Sequence, residues 1–286
     1  DVIESRGLGD VYKRQHNYLI TDASEIPQVL KEAKYIATSG RPGPVLIDIP
    51  KDILNQKSDW IEPGPLELPG YKPTLDPNPK MIQQAANLIK NSKKPILYVG
   101  GGIIHSKANK ELFDLATKFN IPVVTTLMGR GAFPDGHELC LEMPGMHGNY
   151  TATTSIQKSD LLIAIGVRFD DRVTANPSFF AQNAKVIHAD IDPAEIGKVR
   201  EAQVPIVGDA KSVILGLIDA LQDEELDTKN WINELNSMKT EHPLSYNQDE
   251  NGPLKVPFVL EELQDLTEEE AIVVSGVGQH QMWISQ

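Results

Sequence analysis

The sequence predicts an α/β protein whose centre is a doubly wound parallel sheet. Between residues 79 and 222, short apolar runs of strand length alternate with segments whose apolar residues recur at helical spacing. Strands buried on both faces read as continuous apolar runs, and their alternation with amphipathic helices is typical of a parallel sheet covered by helices on both sides. Glycine clusters follow several of these runs, as expected where a strand turns into a helix. A Rossmann-like central domain, flanked by partial α/β domains, is therefore predicted.

The net charge and the lengths of the apolar runs argue against nucleic-acid-binding and membrane-spanning functions. The 286 residues include 27 Lys+Arg and 40 Asp+Glu, a net charge of −13. Because an acidic chain without a basic stripe repels phosphates, neither nucleic acid nor an anionic membrane is expected as a partner. The longest apolar runs, such as 160–167, are far shorter than the roughly 20 residues that cross a bilayer.

The cysteine and histidine pattern predicts no metal site within the chain. Cys140 is the single cysteine, so an internal disulfide is impossible and a reducing compartment is favoured. No CxxC or HExxH spacing brings thiolates or imidazoles together as zinc ligands require.

The first 62 residues divide into a segment 1–15 and a partial domain 16–62. Residues 1–15 show no helical or strand period, and 10–15 resemble the translation of a sequencing adapter, so we expect a non-native segment; a frayed natural terminus is the alternative. Helical spacing predicts a helix over 25–37, which must end at the proline–glycine cluster 39–44. The apolar run 45–49 then predicts a strand.

Six prolines between Pro63 and Pro79 predict an extended linker over 63–78, since each fixes φ and removes a backbone donor. The central domain is assigned to 79–222, with strands at 95–99, 121–125, 161–165, 185–189 and 204–207. One helix is predicted at 150–157. Three more are predicted because their apolar residues share one helical face. These faces consist of Ile82, Ala85, Ala86 and Ile89; of Leu112, Leu115, Ala116 and Phe119; and of Val213, Ile214, Leu217, Ile218 and Leu221.

Polar sequence over 223–254 predicts a second linker, in which Trp231, Ile232 and Leu235 could form a short helix. A further partial domain is assigned to 255–286, where Val259, Leu260 and Leu263 share a helical face and 271–275 predict a strand. Because that strand leads into a glycine turn near the last residue, we expect a truncated domain there.

Two glycine clusters, at 100–102 and 166–168, follow predicted strands. Glycine there lets backbone approach a pyrophosphate, but neither cluster is GxGxxG, and tight strand-to-helix turns explain such glycines about as well. The glycine turn 276–280, with its Gln–His pair, suits a diphosphate or is an ordinary loop.

Three further motifs each allow a functional and a structural interpretation. Asp190 follows a strand where nucleotide-binding sheets place an acid for ribose hydroxyls, while Asp192 before Pro193 fits a helix N-cap. The run 168–172 either presents guanidinium groups to an anion or forms internal ion pairs. His147, alone in its turn, is by itself more typical of a structural residue.

Taken together, the motifs resemble the large catalytic subunits of the acetolactate synthase (acetohydroxyacid synthase) family, which are thiamine-diphosphate enzymes that also bind FAD. The resemblance extends over 17–286 and rests on the segments 39–45, 48–52, 98–102, 127–134, 145–148, 166–173, 190–193 and 277–282. The family's three-domain plan implies that 16–62 end a pyrimidine-binding domain, 79–222 form the thiamine-diphosphate enzyme middle domain, and 255–286 begin a diphosphate-binding domain.

The resemblance also implies site residues. FAD contacts are expected at Arg41, Gly100, Gly101, Gly102, Thr126, Leu127, Met128, Met146, His147, Gly148, Gly166, Val167, Arg168, Val173, Asp190, Ile191, Asp192, Gly208 and Asp209. Val277, Gln279 and His280 are expected to hold the thiamine diphosphate tail. Arg172 is expected to hold the carboxylate of a second 2-oxo acid substrate.

The implied reaction decarboxylates pyruvate and condenses its two-carbon unit with pyruvate or 2-oxobutanoate, which opens valine, leucine and isoleucine synthesis. FAD in this family does no net redox chemistry. The resemblance implies that the activating glutamate and the Mg2+ ligands lie outside this fragment. The run 207–210 is not the Mg2+ motif, because it lacks the second glycine and no carboxamide follows at the right distance. The chain by itself is therefore predicted to be inactive.

The implied partners are small 2-oxo acids and, in the parent protein, a homodimer or tetramer with a small regulatory subunit in the cytoplasm, or in a plastid if the source is a plant. Two alternatives stay open. One is another thiamine-diphosphate enzyme, such as glyoxylate carboligase or pyruvate oxidase, which the runs 168–172 and 279–282 disfavour. The other is a stand-alone flavin- or nucleotide-binding module, which the linkers to two partial domains disfavour.

Overall fold

The computed structural model describes residues 16–222, 224–249, 251–267 and 271–286; the predicted adapter-like segment 1–15 lies outside the described residues. The described residues fall into two compact units, which meet in the sequence between Leu75 and Asp76. No described helix has the length and apolar character needed to span a membrane.

The first unit is a small α/β layer. Strand β1 (His16–Leu19) pairs in parallel with β2 (Val45–Asp48), and α1 (Ile26–Thr38) connects them. Asp22 begins the connection with a capping box, in which its side chain accepts from Ser24 and its backbone amide donates to Glu25. The predicted helix and β2 are confirmed, and the short helix α2 (Lys51–Leu54) follows. The sequence does not predict β1, a four-residue strand that is largely exposed.

The proline-rich stretch 63–78 forms no helix or strand, as predicted, yet it is anchored on α1. Lys31 Nζ donates to the carbonyl of Gly64 at 2.7 Å, and the Tyr71 hydroxyl donates to the carbonyl of Ser39 at 2.9 Å. These contacts hold the stretch against the helix.

The second unit contains the predicted doubly wound sheet. Its described strands are β3 (Pro95–Val99), β4 (Val123–Thr125), β5 (Leu161–Ile165), β6 (Lys185–Asp190) and β7 (Val204–Val207). These five strands are parallel and lie in the order β4-β3-β5-β6-β7. Leu97 of β3 pairs with Val123 of β4 on one side and with Ile163 of β5 on the other. Predicted β4 starts two residues late, after Pro122, which has no backbone N–H.

Helices cover both faces of this sheet and produce two cores. The described helices of this unit are α3 (Pro79–Lys90), α4 (Gly101–His105), α5 (Asn109–Phe119), α6 (Tyr150–Lys158), α7 (Asp171–Thr174), α8 (Ala210–Ala220), α9 (Lys229–Glu241), α10 (Val256–Thr267) and α11 (Gln279–Ser285). Helices α10 and α11 contribute no residue to either core. Leu97 and Val99 point into a core with α3, α5 and α8, while Ile96 and Tyr98 point into a core with α6 and α9. All the apolar residues that predict α3 and α5 are buried.

The predicted linker 223–254 contains the 13-residue helix α9, which belongs to the central core. Trp231 and Leu235 are buried against the sheet, and Trp231 Nε1 donates to the carbonyl of Pro95 at 3.2 Å. The helix foreseen around Trp231 is therefore longer than predicted and supports the sheet.

The strand predicted at 271–275 is absent, and this prediction is wrong. Residues 271–276 have no regular structure, and Ile272 and Val274 are about nine-tenths exposed, at 93% and 90%. A strand is stable only when its N–H and C=O groups pair with a neighbour, and no described strand pairs with this run. The preceding helix α10 is confirmed.

Candidate functional site

The expected FAD residues that follow the strands of the central sheet lie at its carboxyl edge. The chain runs from β3 to β4 on one side and then crosses to β5 on the other, and the connections that follow β3 and β5 pack on opposite faces of the sheet. Doubly wound sheets bind ligands in the crevice at such a switch point. Because the strands are parallel, the loops at 100–102, 126–128, 166–168, 190–192 and 208–209 all lie at this edge.

The glycines after β3 and β5 are required by the packing of their two turns. A Cβ on Gly102 would lie 2.6 Å from the Cα of Gly166, closer than real Cβ contacts occur. The amide of Gly102 donates to the carbonyl of Gly166 at 3.3 Å. Gly101 differs, because a Cβ there would meet Met128 at an ordinary 3.4 Å. Tight turns thus account for Gly102 and Gly166, while a ligand role for these loops stays a prediction.

Exposed apolar side chains border the same edge. Leu127 and Met128 directly follow β4 in a single 3-10 turn, and Met146 lies in the loop before α6. Their exposed fractions are 45%, 74% and 69%. Exposed apolar side chains beside a crevice can contact the apolar part of a ligand.

The run 168–172 combines an internal ion pair with an outward guanidinium. Arg168 Nη2 lies 2.7 Å from Asp170 Oδ2, so the ion-pair interpretation holds for these two side chains. The other carboxylate oxygen of Asp170 accepts from the backbone amide of Arg172 and caps α7. Arg172 lies 3.8 Å from Asp171 and is 69% exposed, so its guanidinium is available to an anion at little cost.

A small pocket adjoins Arg172. It is lined by Leu127, Met143, Pro144, His147, Arg172, Val173 and, from α11, Gln281, Met282 and Ser285. The backbone amide of Met146 donates to the carbonyl of Arg172 at 3.0 Å, and Gln286 Nε2 donates to the carbonyl of His147 at 3.1 Å. Val277, Gln279 and His280 do not line the pocket and are exposed.

The acidic residues after β6 and β7 shape turns. Asp190 Oδ1 accepts from the amide of Asp192 at 2.9 Å, and Asp192 Oδ1 accepts from the amide of Ala194 at 3.0 Å. The predicted N-cap role of Asp192 is wrong as stated, because a series of turns follows Pro193 and no helix forms there. Asp209 is the N-cap of α8, where Oδ1 accepts from Lys211, Ser212 and the hydroxyl of Ser106.

The one expected site residue that belongs to the first unit is Arg41, which lies in the turn between α1 and β2. Among the described residues, no cluster of His, Cys, Asp and Glu could hold a metal ion. The free thiol of Cys140 is buried, and burial raises its pKa.

Sequence reasoning missed two buried polar residues beneath the site. Tyr98 is fully buried, which raises the pKa of its phenol, and its hydroxyl has no hydrogen-bond partner in the described residues. His188 is fully buried in β6, and desolvation lowers the pKa of its imidazole. The sequence does contain a feature that could have identified them: Tyr98 and His188 each stand within an otherwise apolar run that predicts a strand.

Comparison with known proteins gives a family match and close relatives. Residues 82–217 match the model of the thiamine pyrophosphate enzyme central domain. The chain is 52% identical to an acetolactate synthase of Mycobacterium leprae over 276 residues, which is 95% of this chain and 44% of that protein. It is 49% identical to the acetolactate synthase large subunit of Corynebacterium glutamicum, again over 95% of this chain and 44% of the relative.

A plant relative shows the same pattern. Acetolactate synthase 1, chloroplastic, of Nicotiana tabacum is 46% identical over 280 residues, which is 95% of this chain and 41% of that protein. The chain thus spans less than half the length of these curated relatives.

Proposed function

We propose that this chain, in which residues 82–217 are a thiamine pyrophosphate enzyme central domain, is part of the large subunit of an acetolactate synthase. One observation carries the proposal: about half of the residues are identical over 95% of the chain, so the similarity extends well beyond residues 82–217 and includes the first compact unit. A shared central domain alone would leave the first unit unmatched. The relatives reported above all carry the name acetolactate synthase, which favours this assignment over the runner-up carboligases and the stand-alone module.

The proposed reaction joins two 2-oxo acids. Thiamine diphosphate, when bound, supplies the carbon nucleophile for decarboxylation and transfer, and pyruvate and 2-oxobutanoate are the proposed substrates. Arg172 is proposed to hold a substrate carboxylate, a role supported by its exposed guanidinium, which borders the pocket beside His147 and Met282. Val277, Gln279 and His280 are proposed to hold the diphosphate from the loop and first turn of α11.

FAD is the second proposed cofactor, held along the carboxyl edge without net redox chemistry. The edge suits it, because glycine turns bring backbone to the crevice, Leu127, Met128 and Met146 expose apolar surface for a ring, and Arg168 offers a cation for a phosphate. The side chain of Asp209 caps α8. We therefore propose that FAD contacts the backbone of Asp209 or of Gly208. Mg2+ ligands are proposed to come from outside this chain.

The proposed setting follows the family. We expect a homodimer or tetramer with a small regulatory subunit, in the cytoplasm of a bacterium or in a plastid of a plant. The domain assignments 16–62, 79–222 and 255–286 are proposed as the end of a pyrimidine-binding domain, the middle domain and the start of a diphosphate-binding domain.

A chimaera tests the function. Residues 16–286 would replace the matching segment in the Corynebacterium glutamicum acetolactate synthase large subunit, and product would be measured with pyruvate and with glyoxylate. We expect acetolactate from pyruvate, with Arg172→Ala raising the KM for the second 2-oxo acid. A folded chimaera that consumes glyoxylate in preference, or makes no acetolactate, would refute the proposal.

The chain alone provides the complementary test. We expect the purified 286-residue protein to form no acetolactate, since the activating glutamate and Mg2+ ligands are proposed to lie elsewhere in the parent enzyme. Measurable acetolactate from this chain would show that it carries more of the machinery than we propose.

A further inference from the structure

Phe169 is a buried residue within the charged run 168–172 that follows β5. Its side chain belongs to the core that also contains α6 and α9. The side chains of Arg168 and Arg172, which precede and follow it in the run, are mostly exposed. Phe169 therefore attaches this exposed run to the interior of the second unit.

Rings from three other parts of the second unit pack on Phe169. The Tyr98 ring, in β3, has its centroid 5.7 Å from that of Phe169. The His188 ring, in β6, is 5.0 Å away and perpendicular, and Phe180, which precedes β6, is 6.1 Å away and edge-on. Strands β3 and β6 are the two neighbours of β5. The Phe169 ring is therefore held by side chains from both neighbours of the strand that leads into the run, and such edge-on contacts favour one ring orientation.

The backbone of Phe169 is left-handed. Its φ is +53°, a conformation that a bulky residue rarely adopts and that persists only while the surroundings impose it. The turn lies between Arg168 and Asp170, whose side chains meet at 2.7 Å. A return to an ordinary φ would move either the buried ring or the residues that follow it. The packing of the ring therefore maintains the direction in which the chain continues.

Asp170 carries this direction into α7. Its Oδ1 accepts from the amide of Arg172 at 3.1 Å, and its carbonyl accepts from the amides of Val173 and Thr174, each at 3.0 Å. Because α7 has four residues, it is too short to be stable without such contacts. The position of Arg172 therefore depends on how the chain leaves Phe169.

We propose that Phe169 is a positioning residue for Arg172: its buried ring maintains the left-handed turn before α7 and so fixes the guanidinium beside the pocket. The inference rests on the proposed function, in which Arg172 holds the carboxylate of the second 2-oxo acid. Phe169 itself contacts no substrate, because its ring is buried among other rings. Its effect on the affinity for that acid passes through Arg172.

Amide hydrogen exchange of the whole ligand-free chain tests the effect on α7. The amides of Val173 and Thr174, which donate to the carbonyl of Asp170, report on this helix. Phe169→Leu keeps an apolar side chain but loses the ring contacts, so exchange at both amides should become about threefold faster or more. Phe119→Leu is the matched control, because Phe119 is a buried phenylalanine of α5 in the other core, and it should leave both amides unchanged.

A double-mutant cycle in the Corynebacterium glutamicum chimaera tests the effect on substrate affinity. The KM for 2-oxobutanoate is measured at saturating pyruvate. Phe169→Leu should raise this KM about fivefold or more, with a smaller change in kcat, because it weakens a charge-assisted contact. In the Arg172→Ala background the same substitution should raise the KM no further, since its effect passes through the missing guanidinium. Phe119→Leu should leave the KM unchanged in both backgrounds.

An equal rise in KM with and without Arg172 would overturn the proposal, because Phe169 would then act by another route. Unchanged exchange at Val173 and Thr174 in Phe169→Leu would also overturn it, as would an equal effect of Phe119→Leu. If Phe169→Leu does not fold, Phe169→Met, which nearly conserves the apolar volume, takes its place.

Failure of the proposed function gives a different result. The chimaera would then make no acetolactate, or Arg172→Ala would leave the KM for 2-oxobutanoate unchanged. The exchange measurement needs no cofactor or substrate, so it would still support or overturn the role of Phe169 in placing α7.

Discussion

The backbone amide of Met146 donates a hydrogen bond to the backbone carbonyl of Arg172 at 3.0 Å. This bond fixes the loop before α6 against the first residues of α7, and the pocket beside Arg172 is built on that junction. Gly145 makes the close approach possible, because its φ is +100° and a Cβ there would lie 2.6 Å from the Arg172 carbonyl oxygen. The position of the guanidinium therefore depends on a glycine in a neighbouring loop.

Gly145→Ala should destabilise the second unit by about 1–3 kcal/mol, from the left-handed backbone and the clash with the Arg172 carbonyl. Urea unfolding measures the loss. Gly136→Ala is the matched control, because a Cβ there would meet nothing within 4 Å, and its change should stay within about 0.5 kcal/mol. Equal losses of stability in the two variants would contradict the close packing of Gly145 against the Arg172 carbonyl.

Substitution by alanine should change the free energy of unfolding differently at Gly101 and at Gly102, which lie in the same turn. Gly102→Ala places a methyl group against the backbone of Gly166, and we expect a loss of about 1–3 kcal/mol in the free energy of unfolding. Gly101→Ala meets Met128 at an ordinary distance and should change it by less than about 0.5 kcal/mol. If Gly102→Ala proved as mild as Gly101→Ala, the two turns would not be in close packing.

Helix α9 should prove essential to the central domain. Trp231→Ala removes a buried indole and should cost about 3–5 kcal/mol in thermal or urea unfolding. Trp231→Phe retains most of the apolar contact but loses the bond to the Pro95 carbonyl, so about 1–2 kcal/mol is expected. A negligible effect of Trp231→Ala would contradict a stabilising role for α9 and would support the prediction that 223–254 are a linker.

The Tyr98 hydroxyl should contribute nothing to stability. It is buried without a partner in the described residues, so Tyr98→Phe removes an uncompensated polar group and keeps the ring that packs on Phe169. We expect a free energy of unfolding equal to wild type within about 0.5 kcal/mol, or higher. A clear loss would indicate a buried water or another partner at the hydroxyl.

Periodicity predicted the central domain well because its central strands are continuous apolar runs. The strands β3 and β5 match their predicted bounds, since both are apolar throughout and buried on both faces. Helix α9 could have been extended from the sequence, because Trp231, Leu235 and Met238 recur at helical spacing within a polar background. The strand at 271–275 could not be settled from its own residues, because pairing depends on a neighbouring strand.

The candidate site was predictable only in outline. Sequence order placed the glycine turns after strands, but only the contact between Gly102 and Gly166 distinguishes a glycine required by packing from one such as Gly101. His188 is a polar residue within an apolar run. Its contacts with Val167 and Gly197 could not be predicted, because these residues are distant from it in the sequence.

Equilibrium titration of the purified chain with FAD, followed by flavin fluorescence, tests most directly the claim that the carboxyl edge of the central sheet holds this cofactor. We expect saturable binding that Arg168→Ala weakens about tenfold through loss of a charge-assisted contact. Lys185→Ala, which removes an exposed cation at the opposite edge where β6 begins, should leave the affinity unchanged. No saturable binding, or equal weakening by both substitutions, would contradict the claim.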